Sequence, residues 1–186
     1  MALQSGNTTC RAPLMADKTL LIVWHSRTGA SRQLAQAAAR GARVSMHQDG
    51  GAPAVRVDFV HASRADATRV LAASAYLFVA PENLGSLSGS MKEFFDRTYY
   101  AVIDRIVARP YAVIVAAGSD GSGAVRQVQR IVTGWRLKAI ADPMIVNTDA
   151  QTPEAILAPK RLSPEALRRA TELGAALAAG VAMGIF

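Results

Sequence analysis

The sequence predicts an α/β domain built on a parallel sheet, and three observations lead to that prediction. Short apolar runs of strand length alternate with helix-like segments along the 186 residues. The runs AYLFVA and YAVIVAA are apolar at every position, so helices must cover both faces of the sheet. No internal repeat or linker divides the chain, which is long enough for one domain with a substantial core.

Five strands and five helices follow in chain order. The strands are predicted at Leu20–Trp24, Ala54–Val60, Ala75–Ala80, Tyr111–Ala117 and Lys138–Val146. The helices are predicted at Arg32–Gly41, Ser63–Ala73, Ser90 to about Ile106, Ser122–Trp135 and from Ser163 onward. Capping spacings start three of them, at Ser63-Arg-Ala-Asp66, at Ser90-Met-Lys-Glu93 and at Ser163-Pro164. The stretch from Asn147 to Leu162 carries three turn signals.

Composition limits the function classes. Apolar residues make up 51% and charged residues 19%, as in globular proteins. The net charge of +7 comes from scattered arginines without interleaved aromatic residues, so nucleic-acid binding is not expected. The single cysteine, Cys10, excludes an intrachain disulfide and a cysteine metal cluster, and a cytoplasmic location is expected. Residues 1–18 are predicted to form a flexible leader and 19–186 the domain, with no membrane span.

The most informative stretch is the turn after the first strand. Ser26-Arg27-Thr28-Gly29-Ala30-Ser31 joins a buried strand directly to a helix N-terminus. Such a terminus presents unpaired N–H groups and a partial positive charge to anions. The three hydroxyl groups add donors, and the glycine allows the backbone to approach a ligand closely. The turn is therefore predicted to hold a phosphate group.

Two further loops end strands at the same edge of the sheet, where ligands of such folds bind. Pro81-Glu82-Asn83-Leu84-Gly85-Ser86-Leu87-Ser88-Gly89 follows the third strand, and Gly118-Ser119-Asp120-Gly121-Ser122-Gly123 follows the fourth. Both are rich in Gly and Ser and poor in bulky side chains. They are predicted to place backbone amides around one pocket.

Missing motifs exclude several phosphate-binding classes. The chain has no G-x-x-x-x-G-K-[ST], and no G-x-G-x-x-G follows the first strand. A cysteine phosphatase would lack its nucleophile, because the first loop contains no cysteine. The third strand ends in Ala80-Pro81, without an aspartate to accept a phosphoryl group. His47 and His61 lack partners at metal-ligand spacing, so no metal site is assigned. The sequence also shows no convincing catalytic triad, so no catalytic side chain is assigned.

The three loops together resemble those of a known family. The first resembles the [ST]-x-T-G-x-[ST] phosphate loop of flavodoxins. Pro81, Gly85 and Gly89-Ser90-Met91-Lys92 are spaced as in the second flavin loop of NAD(P)H-dependent FMN reductases, close to the tryptophan-repressor-binding-protein type of quinone reductase. The third loop falls where that family contacts the flavin edge. The resemblance covers roughly Thr19 to Asn147.

The resemblance implies a flavodoxin-like three-layer sandwich with five parallel strands in the order 2-1-3-4-5. It implies FMN as cofactor, with its phosphate on Ser26 to Ser31 and its isoalloxazine against Pro81–Ser86 and Gly118–Gly121. NADPH or NADH would be the reductant, a quinone or flavin the acceptor, and a homodimer or higher homo-oligomer the assembly. Leu84 stands where the quinone reductases carry an aromatic residue. A flavodoxin-type electron carrier and a protein with an empty site are the alternatives.

Overall fold

The computed structural model describes residues 18–45 and 55–186. The strands are β1 Lys18–Trp24, β2 Val55–His61, β3 Ala75–Asn83, β4 Ser86–Leu87, β5 Pro110–Ala117, β6 Lys138–Ala139 and β7 Met144–Asn147. The helices are α1 Ala30–Ser45, α2 Ala67–Ala72, α3 Gly89–Val102, α4 Ser122–Gly134, α5 Pro153–Leu157 and α6 Pro164–Met183, with a 3₁₀ turn at Ala62–Arg64. Residues 1–17 of the predicted leader, His47 and Ala54 lie outside the described residues, whereas Lys18, also predicted in the leader, is the first residue of β1.

One sheet carries the domain, and its order confirms the prediction. Parallel strands run in the order β2-β1-β3-β5, and β6 and β7 both pair with β5 at the fifth position. β4 turns back antiparallel on the end of β3. Because the other strands are parallel, the carboxyl ends of β1, β3, β5 and β7 lie at the same edge of the sheet.

Helices cover both faces of this sheet, as the apolar strands require. α1 and α6 pack on one face around Leu34 and Leu177. α2, α3 and α4 cover the other face, where Phe94 and Trp135 surround Phe78. The apolar C-terminal segment is therefore docked on its own domain through α6. No helix in residues 18–45 or 55–186 is long and apolar enough to cross a membrane.

Two predicted caps are replaced by other contacts. Ser63 lies in the 3₁₀ turn, and α2 starts later, with Asp66 as its cap accepting a hydrogen bond from the Arg69 amide at 2.9 Å. α3 starts at Gly89, so Ser90 does not cap it. The residue at the cap position, Ser88, forms a hydrogen bond with the His25 ring at 2.8 Å instead. α3 also ends at Val102, short of the predicted Ile106.

The predicted fifth strand is split into two short pieces. Tyr111 pairs with Ala139 and Ile114 with Met144. Two residues of β5 therefore face four residues on the other side, and the chain bulges out of the ladder. Pro143 lies in this bulge. A proline has no N–H for a ladder hydrogen bond, so it does not fit within a regularly paired strand. The stretch of turn signals beyond β7 contains the short helix α5.

Candidate functional site

A cleft of about 490 Å³ opens at the edge where the parallel strands end. All three predicted loops reach it. The predicted residues that line it are Ser26, Arg27, Thr28, Ala30, Ser31, Pro81, Glu82, Asn83, Leu84, Gly85, Gly118 and Ser119. Gly29, Ser86, Asp120 and Gly121 belong to the same loops but are not among the residues that line the cleft. The three loops predicted from the sequence therefore form three walls of the cleft.

The first loop leads directly into α1. The Ser26 hydroxyl accepts a hydrogen bond from the Gly29 amide at 3.1 Å, which folds the loop into a tight turn. Gly29 has a φ of +95°, a conformation that a residue with a side chain rarely adopts. The turn ends at Ala30, so the first amides of a 16-residue helix lie beside the cleft, lined by Ala30 and Ser31, and have no intrahelical partners. This arrangement attracts anions.

Ser31 carries an unpaired polar atom in this loop. Its hydroxyl is buried and has no hydrogen-bond partner among the described residues, although the residue lines the cleft. A buried hydroxyl without a partner costs free energy in the folded state. Arg27 also lines the cleft and is exposed. Together they offer a neutral donor and a positive charge to a ligand beside the start of α1.

The second loop is a hairpin between β3 and β4. Asn83 pairs with Ser86, and the two residues between them, Leu84 and Gly85, have φ values of +53° and +68°. Two positive φ angles make a type I′ turn, in which Asn-Gly is the common pair. Leu84 is fully exposed at the tip, so its side chain gains no packing in return for the backbone strain.

Glu82 joins the hairpin to the third loop. Its carboxylate accepts hydrogen bonds from the Gly121 amide at 2.7 Å and from the Ala124 amide at 3.1 Å. Gly121 is the cap residue of α4 and has no side chain to satisfy these amides. Glu82 therefore caps α4 from a different strand. The Gly121 amide, in turn, faces Glu82 and not the cleft.

Further contacts hold the hairpin against α4. A Cβ on Gly123 would lie 2.0 Å from the Gly85 carbonyl oxygen, so only glycine allows this approach. The Gln127 side chain accepts a hydrogen bond from the Leu87 amide at 2.8 Å. The second and third loops therefore form one connected unit.

A fourth wall was not identified from the sequence. Thr148, Ala150, Gln151, Ile156, Leu157 and Lys160, from the segment after β7, also line the cleft. This segment starts at the same sheet edge as the three loops, and its length of more than a dozen residues between β7 and α6 was the signal that could have identified it.

Gln33 fastens this fourth wall to α1. Its side-chain amide donates to the Lys160 carbonyl at 2.7 Å and to the Gly29 carbonyl at 3.1 Å, and its oxygen accepts from the Leu162 amide at 3.3 Å. The Lys160 amide also donates to the Thr28 carbonyl at 2.8 Å. The position of the segment is thus set by the first loop.

His25 lies between the first loop and the hairpin. Its ring packs against the His61 ring, with centroids 5.6 Å apart. Burial lowers the pKa of His25 below its ordinary value, and the nearby charges of His61 and Arg27 lower it further. The imidazole is therefore neutral near pH 7, and its Nδ1 forms a hydrogen bond with the Ser88 hydroxyl.

The cleft offers no side-chain catalytic constellation. No aromatic residue of the described chain lines it. In residues 18–45 and 55–186, no three His, Cys, Asp or Glu side chains come together as a metal site. What the cleft provides is an anion-binding end at α1 and an apolar opening at the hairpin and α5.

Similar structures share this architecture. An archaeal flavodoxin is 16% identical with a TM-score of 0.67, covering 88% of this chain and 98% of its own. A WrbA-like flavodoxin from Agrobacterium tumefaciens is 15% identical with a TM-score of 0.65, covering 90% and 99%. A flavodiiron protein from Giardia intestinalis is 17% identical with a TM-score of 0.69, covering 91% of this chain and 37% of its own. At these identities the likeness shows the flavodoxin-like fold alone.

No curated protein matches the chain. A family match, however, spans most of its length. Residues 18–151 match the NADPH-dependent FMN reductase family, a range that includes all three loops predicted from the sequence. The chain therefore belongs to the NADPH-dependent FMN reductase family, whose cofactor is FMN and whose reductant is NAD(P)H.

Proposed function

We propose that this FMN-binding oxidoreductase uses NAD(P)H to reduce a quinone or a similar small acceptor in the cleft at the sheet edge. The observation that carries the proposal is the cleft itself, which combines an anion-binding helix start with an apolar opening. In the balanced reaction, NAD(P)H, a proton and the quinone give NAD(P)⁺ and the hydroquinone. The hydride supplies two electrons and one proton, and solvent supplies the second proton.

The first loop suits the FMN phosphate. The first-turn amides of α1, the unpartnered Ser31 hydroxyl and the exposed Arg27 side chain are the donors that a phosphate dianion requires. Thr28 adds a hydroxyl group beside them. The cleft volume of about 490 Å³ lies inside the usual range of about 300–1,000 Å³ for small-molecule sites.

The hairpin and the third loop suit the ring system. Pro81–Gly85, Gly118 and Ser119 line the part of the cleft away from α1, and we assign them to the isoalloxazine. FMN held there would supply the redox chemistry, taking electrons from NAD(P)H and passing them to the acceptor. The residues of the chain would bind and orient the ring. No side chain of the cleft is required to move a proton.

The lack of aromatic side chains among the described residues that line the cleft also separates this proposal from an electron carrier. A carrier needs only an exposed ring edge, whereas hydride transfer needs a face on which the nicotinamide can lie. No aromatic residue of the described chain covers a face in the cleft. The +7 charge of the chain also differs from the acidic balance typical of flavodoxin carriers. A cytoplasmic location and a homo-oligomeric assembly are part of the same proposal.

The test is an anaerobic spectroscopic titration of the FMN-loaded protein. Addition of NADPH or NADH is expected to bleach the flavin absorbance, and a quinone is expected to restore it. Arg27→Ala is expected to weaken FMN binding, while Arg130→Ala on the outer part of α4 serves as the matched control. Failure to bind FMN would refute the proposal outright. Bleaching by dithionite but by neither nicotinamide would favour the electron carrier.

A further inference from the structure

α5 is a short helix that does not pack into the core of the domain. Its five residues bury no side chain, and a helix this short is not stable in water on its own. It is held from outside: the Thr152 hydroxyl accepts from the Ala155 amide at 3.2 Å, and the Lys160 ammonium donates to the Ala155 and Ile156 carbonyls at 2.6 and 3.0 Å. The helix also lies just past residue 151, where the family match ends. It is thus a local feature that the packing of the domain does not explain.

The two large apolar side chains of α5 line the cleft. Ile156 is 51% exposed and Leu157 is 71% exposed. Leu84 also lines the cleft and is fully exposed, from the hairpin. These three aliphatic side chains, which we call the aliphatic rim, leave much of their apolar surface in water in the absence of a ligand.

Leu84 has no structural reason to be a leucine. Its φ of +53° suits asparagine or glycine, and its side chain packs on nothing in the described chain. A strained residue whose side chain contributes no packing is a candidate for a ligand contact. The same reasoning applies to the exposed pair on α5.

We propose that the aliphatic rim binds the oxidising substrate as an uncharged, planar ring. This inference rests on the proposed function and identifies which residues select the acceptor. Glu82 and Lys160 line the cleft near the rim, and both are engaged, because Glu82 accepts from two amides of α4 and Lys160 donates to three carbonyls around α5. The rim itself offers a ligand aliphatic surface, which favours an uncharged ring over an anionic acceptor.

The occupant is a small molecule because the rim borders a cavity. Its side chains come from two separate walls and surround the opening of the same 490 Å³ cleft in which we place the flavin. A planar ring that enters there meets aliphatic contacts next to the flavin. A second copy of the chain covering the rim would close the same opening and is tested below as the competing outcome.

The test compares two acceptors and three variants of the FMN-loaded protein. Ile156→Ser/Leu157→Ser removes the α5 side of the rim, and Leu84→Asn removes the hairpin side. Val44→Ser is the matched control, because Val44 is 63% exposed on the last turn of α1 and does not line the cleft. Menadione serves as the apolar ring and ferricyanide as the charged acceptor.

The rim variants are expected to lower kcat/KM for menadione about 10-fold, because burying an aliphatic side chain changes an equilibrium by about that factor. In Ile156→Ser/Leu157→Ser, ferricyanide turnover, FMN affinity and the rate of bleaching by NADPH are expected to stay unchanged. Calorimetric titration of menadione into the oxidised protein should show the same loss of affinity without turnover. Leu84→Asn should also raise Tm by about 2–4 °C, because asparagine tolerates the turn conformation.

Other outcomes would overturn the inference. Unchanged menadione affinity in both rim variants would show that the rim does not bind the acceptor. Loss of self-association in sedimentation, with menadione binding intact, would assign the rim to a second copy. An equal fall for both acceptors would place the defect in cofactor binding or reduction. If the wild-type protein does not oxidise NADPH at all, the proposed function fails, which is a separate result.

Discussion

Glu82 offers the sharpest test of how the cleft is assembled. Its carboxylate accepts from two amides of the α4 start at 2.7 and 3.1 Å, and α4 has no cap of its own at Gly121. A cap typically contributes about 0.5–2 kcal/mol, and a hydrogen bond to a charged group about 1.5–3 kcal/mol. Glu82 is half-buried, so water replaces part of each lost bond. We therefore expect Glu82→Ala to lower the free energy of unfolding by about 2 kcal/mol.

This loss corresponds to a Tm decrease of about 4–8 °C for a chain of this size. Glu82→Gln should lose about half as much, because its oxygen still accepts from one amide while its NH₂ group faces the other. The matched control is Glu172→Ala, which breaks an exposed ion pair with Arg168 on α6 and should cost less than about 1 kcal/mol. Thermal unfolding by circular dichroism measures all three variants.

The same variants report on the cofactor site. If Glu82 holds the third loop in place, the Tm increase that FMN gives the wild-type protein should be smaller in Glu82→Ala and unchanged in Glu172→Ala. A Tm for Glu82→Ala no lower than that of the control would show that the α4 amides do not depend on this carboxylate. The reasoning from the two hydrogen bonds would then be refuted.

Three other changes test separate parts of the site. Ser31→Ala should leave the Tm of the FMN-free protein unchanged or higher and weaken FMN binding about 10-fold, since the Ser31 hydroxyl is unpaired until a phosphate binds. Fluorescence titration with FMN measures the affinity, and equal affinities of the variant and the wild type would contradict the prediction. Burial lowers the pKa of His25, so as the pH falls the unfolded chain binds a proton at this histidine at a higher pH than the folded chain does. Tm should therefore fall as the pH drops below about 6.5, and it should fall less steeply in His25→Asn. Gly123→Ala should lower Tm by at least about 2 °C, although alanine has the better helix propensity, because the new Cβ would collide with the Gly85 carbonyl. Gly89→Ala is the control and should not lower Tm, because a Cβ on Gly89 would have no atom of a non-neighbouring described residue within 4 Å.

The sheet and its loops could be predicted because their signals are local. The apolar runs define four strands to within three residues at each end, and the hydroxyl-rich turn before α1 is readable in six consecutive letters. The strand that failed, Lys138–Val146, has the right composition, but its pairing with β5 is broken by a bulge at Pro143. Register depends on the partner strand, which the local sequence does not contain.

The long-range contacts of the site were beyond local patterns. Glu82 caps a helix that starts some 40 residues later, and Ser88 binds His25 in place of capping α3. Gln33 holds a carbonyl 127 residues away. Each of these side chains also has an ordinary local interpretation as a loop, cap or surface residue. Only the assembled sheet brings the partners together, so the tertiary cap and the contacts that position the fourth wall appear in the structure alone.

The cleft is distinguished by side chains that do nothing for the folded chain alone. Strain or an orphan atom by itself is not enough: the Trp135 indole N–H is also unpartnered, yet its ring packs among Phe94, Phe95 and Tyr99. Ala108, with a φ of +62°, is tied by its amide to the Arg136 carbonyl at 2.8 Å.

The Ser31 hydroxyl and the aliphatic rim have no such compensation within the described chain, and all of them line one cleft. A phosphate would satisfy the hydroxyl at one end, and a planar ring would cover the rim at the other. Two ligand chemistries are thus favoured by independent features of the same cavity, the first by an unpaired donor and the second by exposed aliphatic surface. If Ser31→Ala weakens FMN without affecting menadione, and Ile156→Ser/Leu157→Ser does the reverse, the two ends act separately, as a cofactor site and a substrate site must.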